Sequence, residues 1–169
     1  MAYEIETSEW YPSHKPLEYP KELVAWIDSI NKGWENQIKY EPFEIYKKQS
    51  NAWIKDTDEI VDYSDEDEQE DYIIREYFRC RDNTLYYANK YGWLKEGDVD
   101  GGGISYKAWK AQEVIYFLAD CGYNMLLGKA RQIGFTSTLG LLANKRINFN
   151  KSYYVKFVTH TKEKGEEIF

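Results

Sequence analysis

The sequence predicts an α/β fold in which an α-rich N-terminal region leads into the first strands of a parallel sheet. Two observations carry this. An apolar run, a glycine-bearing loop and an apolar helix follow one another in Tyr123–Leu142, YNMLLGKARQIGFTSTLGLL. A second apolar run, SYYVKFVT at Ser152–Thr159, comes next, and Lys162–Phe169 opens a further helix. Strand, helix, strand, helix in that order predicts parallel strands joined by right-handed crossovers.

The first 19 residues are rich in proline and aromatics (EWYPSHKPLEYP) and read as an arm without a clear period. Residues 20–32, PKELVAWIDSINK, predict the first helix. Pro20 suits its first turn, Gly33 suits the position past its end, and Leu23, Trp26, Ile27 and Ile30 recur at helical spacing. Residues 42–55 predict a second helix, with a weaker stripe of Phe43, Ile45, Tyr46 and Trp53. From Asp56 to Asp71 the chain turns acidic, DTDEIVDYSDEDEQED, and reads as a solvated, self-repelling linker. These carboxylates lack the glycine and terminal-glutamate spacing of a calcium loop, so no metal is assigned to them.

Residues 71–92 read as helix broken near Asp82-Asn83, with Ile74, Phe78 and Leu85 as core candidates. KEGDVDGGG at 95–103 is a turn-rich loop, and Gly103–Tyr106 a short strand. Residues 107–120 form the clearest helix, with Ala108, Ala111, Ile115 and Leu118 at helical spacing and Gly122 as the stop. The organisation expected is therefore an arm, α-rich region and acidic linker over 1–70, lead-in helices and a glycine loop over 71–105, and the start of a nucleotide-binding domain over 106–169.

Composition narrows the class. The chain has 169 residues, a net charge of −7, 16 Tyr and 6 Trp. The charge does not announce a nucleic-acid binder. Cys80 and Cys121 stand far apart without a CxxC or a histidine cluster, which disfavours structural zinc and fits a reducing compartment. The chain has neither a signal-like N-terminus nor a run of 18 apolar residues, which disfavours secretion and membrane spanning.

The loop in Tyr123–Leu142 carries the chemistry. Strand, glycine loop and helix N-terminus make a phosphate site, because backbone N–H groups and the helix dipole converge on the loop. The usual pattern is G-x-x-x-x-G-K-[ST]. Counted from Gly134, its first-glycine slot holds Lys129 and its lysine slot holds Phe135, while Thr136 fills the hydroxyl slot beside Ser137. The pattern thus fails at two places. Yet the two ends of such a loop approach the same oxygens, so a flexible lysine entering from the start can place its ammonium where the usual lysine does. Gly134 permits close backbone approach, Thr136 can offer a hydroxyl to Mg²⁺, and Phe135 is packing. A strand-end lysine and an ordinary strand-to-helix turn are the competing reading.

Lys129-Ala130-Arg131-Gln132-Ile133-Gly134-Phe135-Thr136-Ser137 resembles the phosphate loop of the large terminase subunits of tailed bacteriophages. The resemblance rests on the Arg-Gln-apolar-Gly core with lysine in the alternative slot at the loop's start. It implies a helicase-like P-loop NTPase with a parallel sheet, of which this chain holds only the beginning, and ATP and Mg²⁺ as cofactors. The family places an adenine-reading glutamine on the helix before the central strand. Gln112, 22 residues before Gly134, matches that place, and Trp109 one turn earlier can cover the base or pack. On its own, Gln112 also reads as a surface residue of an amphipathic helix. Val158–Lys162 resembles the family's segment after the second strand, with His160 in a packing or capping role.

The function so implied is the nucleotide-binding portion of a motor that hydrolyses ATP to drive double-stranded DNA into procapsids. The resemblance further implies a portal protein and a small terminase subunit as partners, a homo-oligomeric ring on the portal, and the cytoplasm of the infected host as location. It covers about Tyr106–Phe169 firmly and residues 70–105 plausibly, and matches nothing in 1–70. An apolar strand ending in Asp-Glu, a coupling motif and a nuclease domain are missing, so the chain is expected to be the N-terminal part of a longer protein, with its catalytic residues elsewhere and little activity alone. Two alternatives stay open: another helicase-like P-loop ATPase on nucleic acid, and a non-enzymatic assembly or adaptor protein with a vestigial loop.

Overall fold

The computed structural model describes residues 19–56, 66–95, 103–125, 127–128 and 134–156. The chain divides into two compact units, one ending at Glu41 and the other beginning at Pro42. In the first, α1 spans Lys21–Asn31 and is followed by a single 3-10 turn at Trp34–Asn36. Leu23 and Trp26 are buried, as their spacing predicts, together with Ser29, while Ile27 and Ile30 of the same stripe are half-buried. The chain then folds back so that Tyr40 stacks on Trp26, ring centroids 5.1 Å apart. Ser29 pins this return: its hydroxyl donates to the Trp26 carbonyl and accepts the Ile38 N–H. Gly33, with φ of +127°, makes the turn out of the helix.

The second unit is a helical assembly. It holds α2 (Glu41–Asp56), α3 (Glu66–Asp82), α4 (Thr84–Tyr91), β1 (Trp93–Lys95), β2 (Gly103–Ser105), α5 (Lys110–Asp120) and α6 (Phe135–Phe149). The short α4 is central and touches α3, α5, α6 and β2. Its Leu85 and Ala88 form the core with Tyr106 and Tyr116, closed by Tyr46, Leu94, Ala108, Leu141 and Leu142. Phe117 of α5 meets Phe43 and Tyr46 of α2 edge-to-face, at 5.4 Å in both cases. The break expected near Asp82-Asn83 is present: α3 ends at Asp82, and the Asn83 side chain caps α4 by accepting the Tyr86 N–H at 2.9 Å.

β1 and β2 pair antiparallel, with Trp93 opposite Ser105 and Lys95 opposite Gly103. This hairpin is the only sheet among the described residues. It corrects the fold class expected from the sequence: the described chain is predominantly helical, and no parallel sheet of a P-loop NTPase is formed among the described residues. Of the apolar run expected as a central strand, Leu126 lies outside the described residues, and the rest is not strand. Tyr123–Met125 and Leu127-Gly128 have no strand geometry, and Leu127 is 38% exposed, whereas a strand of a parallel sheet is covered on both faces. Residues 153–156, the first part of the second expected strand, likewise form no ladder, and residues 157–169 lie outside the described ones. The physical reason is that α2, α4, α5 and α6 bury their aromatic faces on one another. Among the described residues no second helical layer is left to cover a sheet.

Three smaller corrections follow. The acidic stretch expected to be linker is helical from Glu66 onward, where its carboxylates sit in the first turns of α3 and favour the positive end of the helix dipole. Ile74 and Phe78, expected in the core, are each 46% exposed, while Leu85 is buried as expected. Ile45, placed in the apolar stripe of α2, is also exposed.

Candidate functional site

The sequence singles out Gln112 on α5 and the loop ending at Gly134. The fold brings these two together. Gly134 is the N-cap of α6, in the left-handed region at φ +67°, ψ +19°. A β-carbon at Gly134 would lie 2.9 Å from Nε2 of Gln112. The backbone conformation favours glycine, and a β-carbon would also displace the amide packed against it. The Gly134 carbonyl accepts from both the backbone N–H and the hydroxyl of Thr138, each at 3.0 Å, which anchors the first turn of α6.

Gln112 is 4% exposed, so it is not the surface residue that helical spacing allows. Its carbonyl oxygen accepts from the Trp109 N–H and from the Tyr106 hydroxyl, both at 2.9 Å. The first of these bonds caps α5 at its third residue, as the glutamine of a capping box does. The Tyr106 hydroxyl in turn accepts from Tyr116 at 3.0 Å and lies 3.4 Å from the Thr138 hydroxyl. The result is a buried polar chain, Tyr116–Tyr106–Gln112, that ends on Gly134. Burial pushes the Tyr106 and Tyr116 phenols above the ordinary tyrosine range, so both remain neutral donors.

Around this chain, Trp109 is 64% exposed at the start of α5. Thr136 is exposed on the first turn of α6, Ser137 is partly covered, and Phe135 is buried, as its packing role requires. Lys129, Ala130, Arg131, Gln132 and Ile133 lie outside the described residues, as do Val158–Lys162 with His160. No group of three or more histidine, cysteine or acidic side chains suited to a metal occurs among the described residues.

The sequence reading missed a second cluster at the other end of α5. The Asp120 carboxylate accepts from the Thr84 N–H (2.7 Å), the Thr84 hydroxyl (2.6 Å), the Tyr46 hydroxyl (2.8 Å) and Lys145 Nζ (2.9 Å). Lys145 is 3% exposed. One carboxylate thus ties α2, α4 and α6 to the end of α5. Each donor is matched, so the cluster is an anchor and not a reaction centre. A buried Lys and Asp 25 positions apart carry no local signal, which is why the sequence did not reveal it.

Comparison with protein-family models, curated proteins and solved structures finds no match for this chain. No helix among the described residues is long and apolar enough to cross a membrane.

Proposed function

We propose that this chain carries the nucleotide-binding portion of a DNA-packaging motor of the large-terminase type, which hydrolyses ATP to move double-stranded DNA into procapsids. The observation that supports it is the contact between Gln112 and Gly134. The resemblance pairs the loop motif with a glutamine 22 residues before Gly134, and in the fold Gln112 Nε2 packs against Gly134. The reading rests on this local site and not on a parallel sheet.

In this proposal Lys129 and Arg131 supply positive charge to the phosphates, and Thr136 offers its exposed hydroxyl to Mg²⁺. The left-handed, side-chain-free Gly134 suits backbone approach to a phosphate at the N-terminus of α6. The fold modifies one assigned role. A glutamine reads adenine with both its oxygen and its amide, but the Gln112 oxygen already accepts two hydrogen bonds. The amide nitrogen lies on the Gly134 side. Double-stranded DNA, a portal protein, a small terminase subunit and a homo-oligomeric ring complete the proposal as implied partners.

The helical architecture favours a second reading, a non-enzymatic assembly protein that keeps a vestigial loop. Thermal melting of the complete chain with and without Mg·ATP separates the two. The motor reading expects a concentration-dependent rise in melting temperature that Lys129→Ala removes. An unchanged melting temperature at millimolar Mg·ATP decides for the assembly protein. A rise that survives Lys129→Ala refutes the displaced-lysine role.

A further inference from the structure

Helix α3 is packed inside out. Its buried positions are Glu76, 6% exposed, and Cys80. Its apolar side chains are largely left outside: Ile73 is 58% exposed, Ile74 and Phe78 are 46% exposed each, and Tyr77, also 46% exposed, touches Phe149 of α6 with one side of its ring, centroids 5.3 Å apart. An amphipathic helix normally buries its apolar stripe. The inversion has a cause in the packing on α4, since the Glu76 carboxylate accepts 2.6 Å hydrogen bonds from both Tyr86 and Tyr91 and a 3.3 Å bond from Arg79. These partners hold the polar face inward and leave the apolar face outward.

The outward face has a regular pattern. Asp67, Glu70, Ile74, Tyr77 and Arg81 follow one another at alternating steps of three and four residues. That is the seam of a two-stranded helical pair. The seam is acidic at its N-terminal end, apolar in the middle and basic at its C-terminal end. Ile73 and Phe78 flank the apolar part on either side. In an antiparallel arrangement about a two-fold axis near the middle of the seam, Ile74 of one chain meets Tyr77 of the other, and Glu70 meets Arg81. Glu70 and Arg81 are eleven residues apart, about 16 Å along the helix, so the two ion pairs close the two ends of the apolar contact. The surface is complementary to itself and to no parallel copy, which would oppose Glu70 to Glu70 and Arg81 to Arg81.

We propose that α3 is a homodimerisation helix that pairs antiparallel with α3 of a second copy of this chain. In the single chain Arg81 is held by the adjacent Asp82, Nε to Oδ1 at 2.7 Å, and lies over the Phe78 ring at 4.7 Å. On pairing, its guanidinium exchanges the local carboxylate for Glu70 of the other copy and stays over the ring. The seam is only about two heptads long, so the dimer is weak and its population follows concentration.

Sedimentation equilibrium of the complete chain at low salt, over a range of concentrations, tests this. The unaltered protein is expected to pass from monomer to dimer. Glu70→Arg and Arg81→Glu are each expected to weaken the dimer at least about tenfold, because each puts like charges opposite one another. The double variant Glu70→Arg/Arg81→Glu reverses both pairs and is expected to restore the dimer to within about threefold of the original. Both substitutions are on exposed positions, and circular dichroism checks that each variant is folded. A protein that stays monomeric at every concentration overturns the proposal, as does a dimer insensitive to either single reversal. A double variant that stays as weak as the single ones overturns the antiparallel register. None of these outcomes depends on nucleotide binding.

Discussion

Gly134 concentrates two constraints in one residue. Its backbone is left-handed, and its missing β-carbon makes room for Gln112 Nε2. Gly134→Ala therefore meets both a conformational cost of about 1 kcal/mol or more and a contact that moves the buried amide. Urea unfolding is expected to show a loss of about 1–3 kcal/mol, with Tyr106 and Trp109 losing their shared acceptor position. A substitution that leaves the urea midpoint in place would mean that the amide can swing away freely. Gln112→Ala attacks the same junction from the other side. It removes the acceptor for a buried tyrosine hydroxyl and for the N–H of Trp109 at the N-cap of α5, and it is expected to cost about 1–3 kcal/mol. The sequence pointed to both residues for a ligand-binding reason. Their architectural role was not legible, because the capping partner of Gln112 is its own helix start and Tyr106 reaches it from the preceding segment.

Between elements, the anchoring group is Asp120. It gathers donors from α2, α4 and α6 at the C-terminal end of α5. Removing it strands the Lys145 ammonium, which is 3% exposed. Asp120→Ala is expected to cost about 3–5 kcal/mol, the usual penalty for breaking a buried pair from one side. The double variant Asp120→Asn/Lys145→Met, which removes both charges, is expected to cost clearly less than the sum of its single changes, a coupling read from a double-mutant cycle in urea. Additive losses would mean that Lys145 finds water when Asp120 is gone. The elements themselves were largely legible. Helical spacing located α1, α2 and α5, and Asp82-Asn83 marked the break between α3 and α4. The orientation of α3 was not legible, because periodicity gives a stripe without saying which side faces inward. Glu76 settles that by long-range bonds to Tyr86 and Tyr91. The short strand expected at Gly103–Tyr106 is present as β2, whereas the described residues of the expected central strand form none for a related reason: an apolar run of three residues is compatible with a strand, but a parallel sheet also needs layers that the helices here use to cover one another.

Across the molecule, burial of titratable groups that stay neutral makes stability depend on alkaline pH. Burial, reinforced by the negative charge of Glu76, pushes the Cys80 thiol up from its ordinary value of 9.0 to about 12. Burial and the Glu76 hydrogen bonds push Tyr86 and Tyr91 upward as well. Burial and the neighbouring Asp120 charge do the same at Tyr46. In each case the folded chain holds a proton that the unfolded chain releases more readily. The contribution is therefore complete below the unfolded pKa and is lost as pH climbs toward the folded one. For Cys80 that window runs from about 9 to about 12. The urea midpoint is expected to be level near neutral pH and to fall progressively above pH 9, with the tyrosines steepening the fall from about pH 10. Cys80→Ser isolates the thiol's share, since serine does not titrate there. Within the window one proton is worth about 1.4 kcal/mol per pH unit, so the variant's free energy should fall less steeply than the original's by up to that amount. Equal slopes for the two proteins between pH 9 and 11 would place the Cys80 proton in contact with solvent and remove it from the linkage. The cysteine sits on α3 beside Glu76, so the same packing that turns the apolar face of that helix outward also gives the alkaline transition its onset.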